Sequence, residues 1–540
     1  MLDTILHRGP DGNTVNNFPW GTLGFCRLNI FGKDGINQPA VSDDGKTAVL
    51  FNGEIYNFSS LKELLPAKQL INDEAELILQ LYQQFGTDCF KKLKGMFAIV
   101  ILAPDKIILA RDPLGIKPLV YETRGHELHF ASEIKALLKT RATKPEIDID
   151  SLAETSVLGF IFSLDKTMFQ GINQVIPGSI LTFDGKNSTV EKYYLPQPSF
   201  YGSESWETPE TVERFRDLME SAAQLYLSHS KTSQAIYLSG GLDSTLMALF
   251  LQENAGTPLE SHTLFDDPGS EDMIYAGKVA EHIGTHHLNT ETGREECLEL
   301  LDHYLYHYES LVTDGVFNVL GSLAFHILSR KIGFKHKVAY CGEGADELFG
   351  GYYWLHAHPL GLGDRLRARA SQVNRGKTRI NEFIQSKFPD NDSMEDEMRQ
   401  TIFDMLIGPG LANCHLWSVD RSCSAFSFEA RPLYLYDDIR DWALFLPIND
   451  KISSDLNTKL ILKNFALNSG DELLYQVSAR KKIGMPSALD ASLKLLTKDL
   501  EKKLPSGKIK SDLPHFAYES YLHTDLEKLM FDKFYKLFIA

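Results

Sequence analysis

Long apolar runs are missing from this chain of 540 residues. No stretch approaches the roughly 20 apolar residues that a bilayer span requires, and the first residues lack the pattern of a secretory signal. A membrane partner is therefore excluded. Cysteine is scarce. The six thiols, Cys26, Cys89, Cys297, Cys341, Cys414 and Cys423, are scattered, and no pair has metal-ligand spacing. That excludes a disulfide scaffold and a zinc site, and a reducing cytoplasm is the expected location. Positive charge is in deficit, with 55 Lys and Arg against 72 Asp and Glu, a net charge of −17. A nucleic-acid partner gripped through its phosphates is excluded on that ground. What is present is 43% hydrophobic and 24% charged, the balance of an ordinary globular protein, in a length that suits two or three domains.

The stretch that organises the rest is Ser239-Gly240-Gly241-Leu242-Asp243-Ser244. Ala235 to Leu238 before it is short and apolar and reads as a buried strand; Thr245 to Gln252 after it reads as a helix. A glycine turn between strand and helix aims free backbone N–H groups and a positive helix end at one point, where an anion fits. Ser239 and Ser244 add hydroxyl donors. Asp243 is wrong for a bare anion, so Mg²⁺ is implied beside phosphates. The loop lacks the Lys-Ser/Thr ending of a Walker loop and the spacing of a dinucleotide fingerprint. It resembles the Ser-Gly-Gly-x-Asp-Ser loop of ATP pyrophosphatases, which adenylate a substrate and release pyrophosphate.

Strand and helix patterns alternate around this loop, through Leu259 to Phe265, Asp272 to Ile283 and Val338 to Tyr340. That predicts a parallel sheet covered on both faces, with ligands beyond the carboxyl ends of its strands. A second motif follows the last of these strands, Cys341-Gly342-Glu343-Gly344-Ala345-Asp346-Glu347-Leu348-Phe349-Gly350-Gly351-Tyr352. It puts three carboxylates in five positions, an arrangement that calls for cations or polar partners. It resembles the corresponding signature of asparagine synthetases. By that resemblance Glu343 deprotonates ammonia as it attacks an acyl adenylate, and Asp346, with Asp243, lies at the magnesium pyrophosphate. Leu238, Phe265, Cys341 and Gly342 would lie against the nucleotide. Asp420-Arg421 with Ser427-Phe428-Glu429-Ala430-Arg431 resembles a third family element, although the aspartate that usually follows is displaced or absent in Pro432-Leu433-Tyr434-Leu435-Tyr436. Arg480-Lys481-Lys482-Ile483-Gly484 resembles a fourth, in which Lys482 would stabilise charge building on phosphate.

The first 194 residues read as short strands framing two helices, including a helix over Asp73 to Phe85 and a hairpin turning at Ala103-Pro104-Asp105. They carry His7-Arg8-Gly9-Pro10-Asp11-Gly12, Arg27-Leu28, Asn52-Gly53-Glu54-Ile55-Tyr56-Asn57, Gly95-Met96-Phe97-Ala98 and Arg111-Asp112-Pro113-Leu114-Gly115-Ile116-Lys117-Pro118. Together these resemble the glutaminase domain of class II glutamine amidotransferases, an N-terminal-nucleophile hydrolase fold. Arg27 would hold the glutamine α-carboxylate, Asn52 and Gly53 the oxyanion, and Glu54 the substrate. Alone, Asn52-Gly53 also reads as a hairpin turn. The family's Ser-Asp-Thr-Glu is here Asp73-Glu74-Ala75-Glu76, with Glu74 where an aspartate would grip the glutamine amine. The family's N-terminal cysteine has no counterpart before His7, and Cys26 lies inside a strand-like stretch. As given, the chain is expected not to hydrolyse glutamine. A start at an internal methionine explains this better than a true loss of activity, because the other clusters survive so densely.

Proline, glycine and serine gather between Leu195 and Pro209, as in a linker. The expected fold class is α/β. An incomplete N-terminal α+β four-layer glutaminase-like domain spans residues 1–200. A parallel-sheet domain of the adenine nucleotide alpha hydrolase-like kind spans residues 201–540. The resemblance implies ATP and Mg²⁺ as cofactors, with a carboxylate acceptor and glutamine or ammonia as small-molecule partners, and admits a homodimer. The implied reaction is amidation of a carboxylate through an acyl-AMP, aspartate to asparagine first among acceptors. The rivals are another acceptor, such as a sugar uronate or a peptide acid, and a nucleotide-binding protein without turnover. Relatives that close β-lactams replace the glutamate of the second motif, so Glu343 argues for external ammonia. The segment Glu309 to Ala324, which in some synthetases helps bind aspartate, has Leu320 where an arginine would stand. After about Ser487 the pattern is helical and carries no chemistry.

Overall fold

The fold comes from a computed structural model that describes residues 1–30, 38–66, 71, 73–195, 205–311, 321–352, 361–373, 376–388, 401–480, 489, 492, 521–522 and 524–540. In the first half, strands β1 (Gly12–Phe18) and β2 (Gly21–Arg27) form a hairpin. A six-stranded sheet contains β3 (Ala40–Val41), β4 (Ala48–Ile55), β5 (Gly95–Ala103), β6 (Lys106–Arg111), β10 (Ser179–Phe183) and β11 (Ser188–Lys192), in the order β11-β10-β6-β5-β4-β3. A third sheet holds β7 (Val120–Arg124), β8 (Glu127–Ala131) and β9 (Asn173–Gln174).

The period-2 alternation of β4 and β5 builds the layers. Val49, Phe51, Ile55, Phe97, Ile99 and Ile101 pack under the helix Glu74–Phe85 through Leu77, Ile78 and Leu81. Leu50, Ala98, Val100 and Leu102 face the other way, onto Leu23 of β2 and Leu128 of β8. The short helix Ile134–Leu138 lies against β7 and β8. The order helix, sheet, sheet, helix is the four-layer arrangement expected. The hairpin turn falls where the sequence put it, with Ala103 paired to Lys106. Asn52 and Gly53 are not a turn: they sit inside β4, opposite Ala98 and Phe97. Gly53 has φ +146°, and a Cβ there would come within 1.9 Å of the Met96 carbonyl oxygen, so only glycine fits.

The second half is built on β12 (Gln234–Tyr237), β13 (Glu260–Phe265), β14 (His286–Glu291), β15 (Val338–Cys341) and β16 (Glu429–Pro432). All neighbours are parallel, in the order β14-β13-β12-β15-β16. The chain winds outward from β12 first to one edge, then to the other. The reversal between β12 and β15 opens a crevice at their carboxyl ends. The helix Pro209–Ser228, N-capped by Thr208, packs on the helix Leu242–Asn254 that leaves β12. The terminal helix Asp525–Phe538 opens with a capping box of Thr524 and Glu527. It docks Phe534 and Phe538 on Phe169 of the first half.

Buried ion pairs join the halves. Arg431 on β16 reaches Glu54 on β4 at 2.7 Å and Glu429 at 2.9 Å, and Glu429 takes Lys117 at 2.6 Å. Arg8 grips Asp420 with both terminal nitrogens, at 2.8 and 3.0 Å, and Glu133 at 3.0 Å. Arg421 pairs with Glu309 at 3.1 Å and stacks on Trp417. The third motif thus reads structurally as the synthetase side of an ionic seam whose other side is Arg8, Glu54 and Lys117. Removing one partner of such a buried pair strands the other charge, at about 3–5 kcal/mol. Arg431→Leu is expected to lower the thermal midpoint by several degrees or abolish soluble expression. An unchanged midpoint in calorimetry would show the seam to be energetically idle.

Candidate functional site

Leu238, Phe265 and Cys341 occupy the carboxyl ends of three adjacent strands, β12, β13 and β15, and all three are buried. The turn after β12 is tied by its own hydroxyls. Ser239 and Ser244 lie Oγ to Oγ at 2.9 Å, and the Ser244 hydroxyl also accepts the Ser239 N–H at 3.1 Å. Thr263 of β13 donates to the Leu238 carbonyl. Gly240 has φ +70°, and a Cβ there would lie 2.5 Å from the Ala276 nitrogen. Glycine is required because the loop is pressed against the helix Glu271–Ile283. Gly241 caps the helix Leu242–Asn254 without a side-chain bond, so the first N–H groups face the crevice. Gly342, after β15, sits against the start of that helix, 3.7 Å from the Asp243 Cβ by its own virtual Cβ.

The two expected metal ligands come together. Asp243 and Asp346 both reach Lys459 Nζ, at 2.5 and 2.6 Å. Asp243 Oδ1 is buried and accepts no hydrogen bond. A fixed carboxylate with an unused lone pair beside a helix N-terminus fits a divalent cation carrying phosphate. Gly351 makes the juxtaposition possible, since a Cβ there would fall 1.8 Å from Asp346 Oδ1 and 2.3 Å from Lys459 Cε. Lys459 had no motif to announce it. Its signal is backbone: φ is +56° at a non-glycine residue, a strained conformation of the kind that gathers at functional sites. Lys482 lies outside the described residues, as do Leu320 and most of the acceptor segment. Arg480 of the fourth motif is described. It donates to the Gly240 carbonyl at 2.7 Å, pairs with Asp272 at 2.8 Å and lies over Tyr275, fastening the phosphate loop.

Glu343 opens the turn beyond Cys341 and is partly exposed. Its Oε2 lies 3.4 Å from Nδ1 of His415, whose Nε2 faces Glu347 at 3.6 Å and the Tyr352 hydroxyl at 3.1 Å. Burial pushes the Glu347 carboxyl up, opposed by His415. The displaced element Pro432–Tyr436 also finds a role: the Tyr434 hydroxyl donates to the Asp243 carbonyl at 2.9 Å. The aspartate after it, Asp437, is buried against Arg440 at 2.8 Å, away from the ligands of the crevice.

In the first half Arg27, Asn52, Gly53, Glu54 and Glu74 line one cavity of about 880 Å³. Asn52 Nδ2 is buried without an acceptor, as an oxyanion donor would be. Arg27 donates to Asn29 at 2.9 Å. The Glu54 carboxylate is held by Arg431, so it is part of the seam as well as of the wall. Glu74 Oε1 accepts the Ile55 N–H at 2.8 Å, and burial with Glu54 nearby pushes its carboxyl well up. Asp73 caps the helix that Glu74 begins. The cavity floor is Lys117, Ser424, Phe428 and Glu429. The same four residues bound a void of about 10 Å³ that continues to Leu416, beside His415.

No thiol is poised as a nucleophile. Burial pushes Cys26 and Cys297 up to about 11 and Cys89 and Cys423 up to about 12, and raises Cys341 and Cys414 as well. At pH 7.5 a thiolate-directed disulfide reagent is therefore expected to titrate fewer than one equivalent in the native chain and six in denaturant. One fast native equivalent would refute this.

The family model described as asparagine synthase matches residues 214–533, and the one described as glutamine amidotransferase domain matches residues 1–194. Asparagine synthetase [glutamine-hydrolyzing] 1 of Bacillus subtilis is 29% identical over 67% of this chain, a match that spans 56% of that relative's length. Asparagine synthetase [glutamine-hydrolyzing] 3 of the same organism is 26% identical over 99% of this chain and 89% of its own. A probable asparagine synthetase [glutamine-hydrolyzing] of Schizosaccharomyces pombe is 30% identical, covering 71% and 70%. No helix among the described residues is long and apolar enough to cross a membrane. With the phosphate loop and the Glu343 motif side by side at the strand ends, these matches place the chain in the asparagine synthase family.

Proposed function

We propose that this chain is an ATP-dependent carbon–nitrogen ligase that amidates a carboxylate through an acyl-AMP, aspartate to asparagine, with nitrogen from glutamine or ammonia. The reading divides the work between residues 1–200 and 201–540. The observation that carries it is the convergence of Ser239–Ser244, Asp346, Lys459 and Glu343 on one strand-end crevice. In the first half-step the acceptor carboxylate attacks the α-phosphorus of ATP, giving acyl-AMP and pyrophosphate. The turn's N–H groups and hydroxyls hold the departing pyrophosphate. Mg²⁺ on Asp243 and Asp346 would neutralise phosphate charge, and Lys459 and Lys482 would hold it against the loop. In the second half-step ammonia attacks the acyl carbon, Glu343 takes a proton, and AMP leaves. The void between the glutaminase-like cavity and Leu416 is of the order of one small molecule, which suits passage of ammonia between the halves.

A second reading keeps the chemistry and changes the acceptor. It is favoured by the segment Glu309 to Ala324, which holds no lysine or arginine to meet a second substrate carboxylate. One assay separates the readings: pyrophosphate release by the purified chain with ATP, Mg²⁺ and ammonia across a set of carboxylates. Release with aspartate, and asparagine as product, supports the first; release only with a sugar uronate or peptide acid supports the second. No release with any acceptor would leave a nucleotide-binding protein.

Two variants test the assigned roles. Glu343→Gln is expected to keep pyrophosphate release and to lose amide formation by about 10²–10⁴-fold, the usual cost of a general base; parallel loss of both would contradict the role. Gly351→Ala should separate Asp346 from Lys459 and weaken magnesium-ATP binding at least tenfold in calorimetry, with unaltered circular dichroism.

A further inference from the structure

Three carboxylates crowd the second motif, and two of them face a single side chain from outside it. His415 ends the helical segment Thr401–His415 and stands between Glu343 and Glu347. Its Nδ1 is 3.4 Å from Glu343 Oε2 and its Nε2 3.6 Å from Glu347 Oε1. Tyr352 pins the ring, with its hydroxyl 3.1 Å from Nε2 while donating to Glu347 at 2.7 Å. His415 is about one-third exposed, whereas Glu347 is buried. A histidine with one nitrogen on a reacting carboxylate and the other on a fixed acceptor has the geometry of a proton relay.

Resting on the reading of Glu343 given above, we propose that His415 is its positioning residue and takes the proton that Glu343 removes from ammonia. The balance is as follows. Ammonia nitrogen bonds to the acyl carbon, and the carbon–oxygen bond to AMP breaks with its electron pair on AMP. One ammonia proton moves to Glu343 Oε2 and then to His415 Nδ1. The imidazolium is stabilised by Glu347 through Nε2, and the proton passes from Nδ1 to solvent once the product has left. The carboxylate is thereby regenerated beside the departing product. Among the described residues, the titratable groups facing His415 are Glu343, Glu347 and Tyr352 from the second motif and Cys414 from its own segment. Burial keeps Tyr352 and Cys414 protonated.

The test separates the half-steps. In His415→Ala, acceptor-dependent pyrophosphate release should stay within about twofold of the unmodified chain. Ammonia-dependent amide formation should fall about 10- to 100-fold in kcat, short of the loss in Glu343→Gln, with little change in KM for ammonia. Added imidazole should restore part of the rate of amide formation. If His415→Ala does not fold, His415→Gln, which keeps the polar bulk, should show the pattern expected of the alanine variant. Equal loss of both half-steps, or an unchanged amide rate, would overturn the relay. Absence of acceptor-dependent pyrophosphate release in the unmodified chain would overturn the adenylation reading and the relay with it.

Discussion

Everything downstream in this molecule depends on a charge buried where water does not reach. Arg431 is fully buried on the edge strand β16, and it is tolerable there only because Glu54 of the other half and Glu429 of its own strand both meet it. Glu429 is in turn tolerable because Lys117 meets it. Desolvation of each ion costs several kcal/mol, and attraction repays that only when every partner is in place. The seam is therefore all-or-none. It sits on β16, which pairs in parallel with β15 at the edge of the sheet whose strand ends hold the Ser239–Ser244 turn. The same carboxylate, Glu54, lines the glutaminase-like cavity.

A second electrostatic problem is solved in the crevice itself. Asp243 and Asp346 approach each other on the first turns of helices that follow adjacent parallel strands, and like charges at such range repel. Lys459 holds both, and Gly351 leaves the room for it. The Mg²⁺ proposed for this pair would meet the same need when phosphate is bound. The strained backbone at Lys459 is the local cost of placing the ammonium there.

The parts of this structure that were legible in sequence are those set by local chemistry. Strand, glycine turn and helix around Ser239–Ser244 follow from periodicity and from the φ that Gly240 must adopt. The pair β5 and β6 follows from alternation and a Pro-Asp turn. What escaped is what long-range partners decide. β14 runs His286–Glu291 with a polar sequence, and it is a strand because β13 offers it a ladder at the sheet edge. β16 contains Glu429 and Arg431, which argue against a buried strand until Lys117 and Glu54 arrive from far away in the chain. Asn52-Gly53 has the local preference of a hairpin turn, yet it lies inside β4 because the Met96 carbonyl needs the space a side chain would fill. Lys459 and His415 belong to no motif, since each acts on residues more than 60 positions away.

The last connection runs along one short helix. Leu416–Ser424 begins directly after His415, which faces Glu343, and carries Asp420 and Arg421, which dock on Arg8, Glu133 and Glu309. Ser424 at its far end is in the wall of the glutaminase-like cavity. A packed helix does not stretch: its hydrogen-bonded turns move as a body. Arg8 and Glu133 at one end and Glu343 at the other are therefore joined through a single packed element. The buried seam thus does more than hold two halves together: it anchors the helix that starts beside His415 and Glu343.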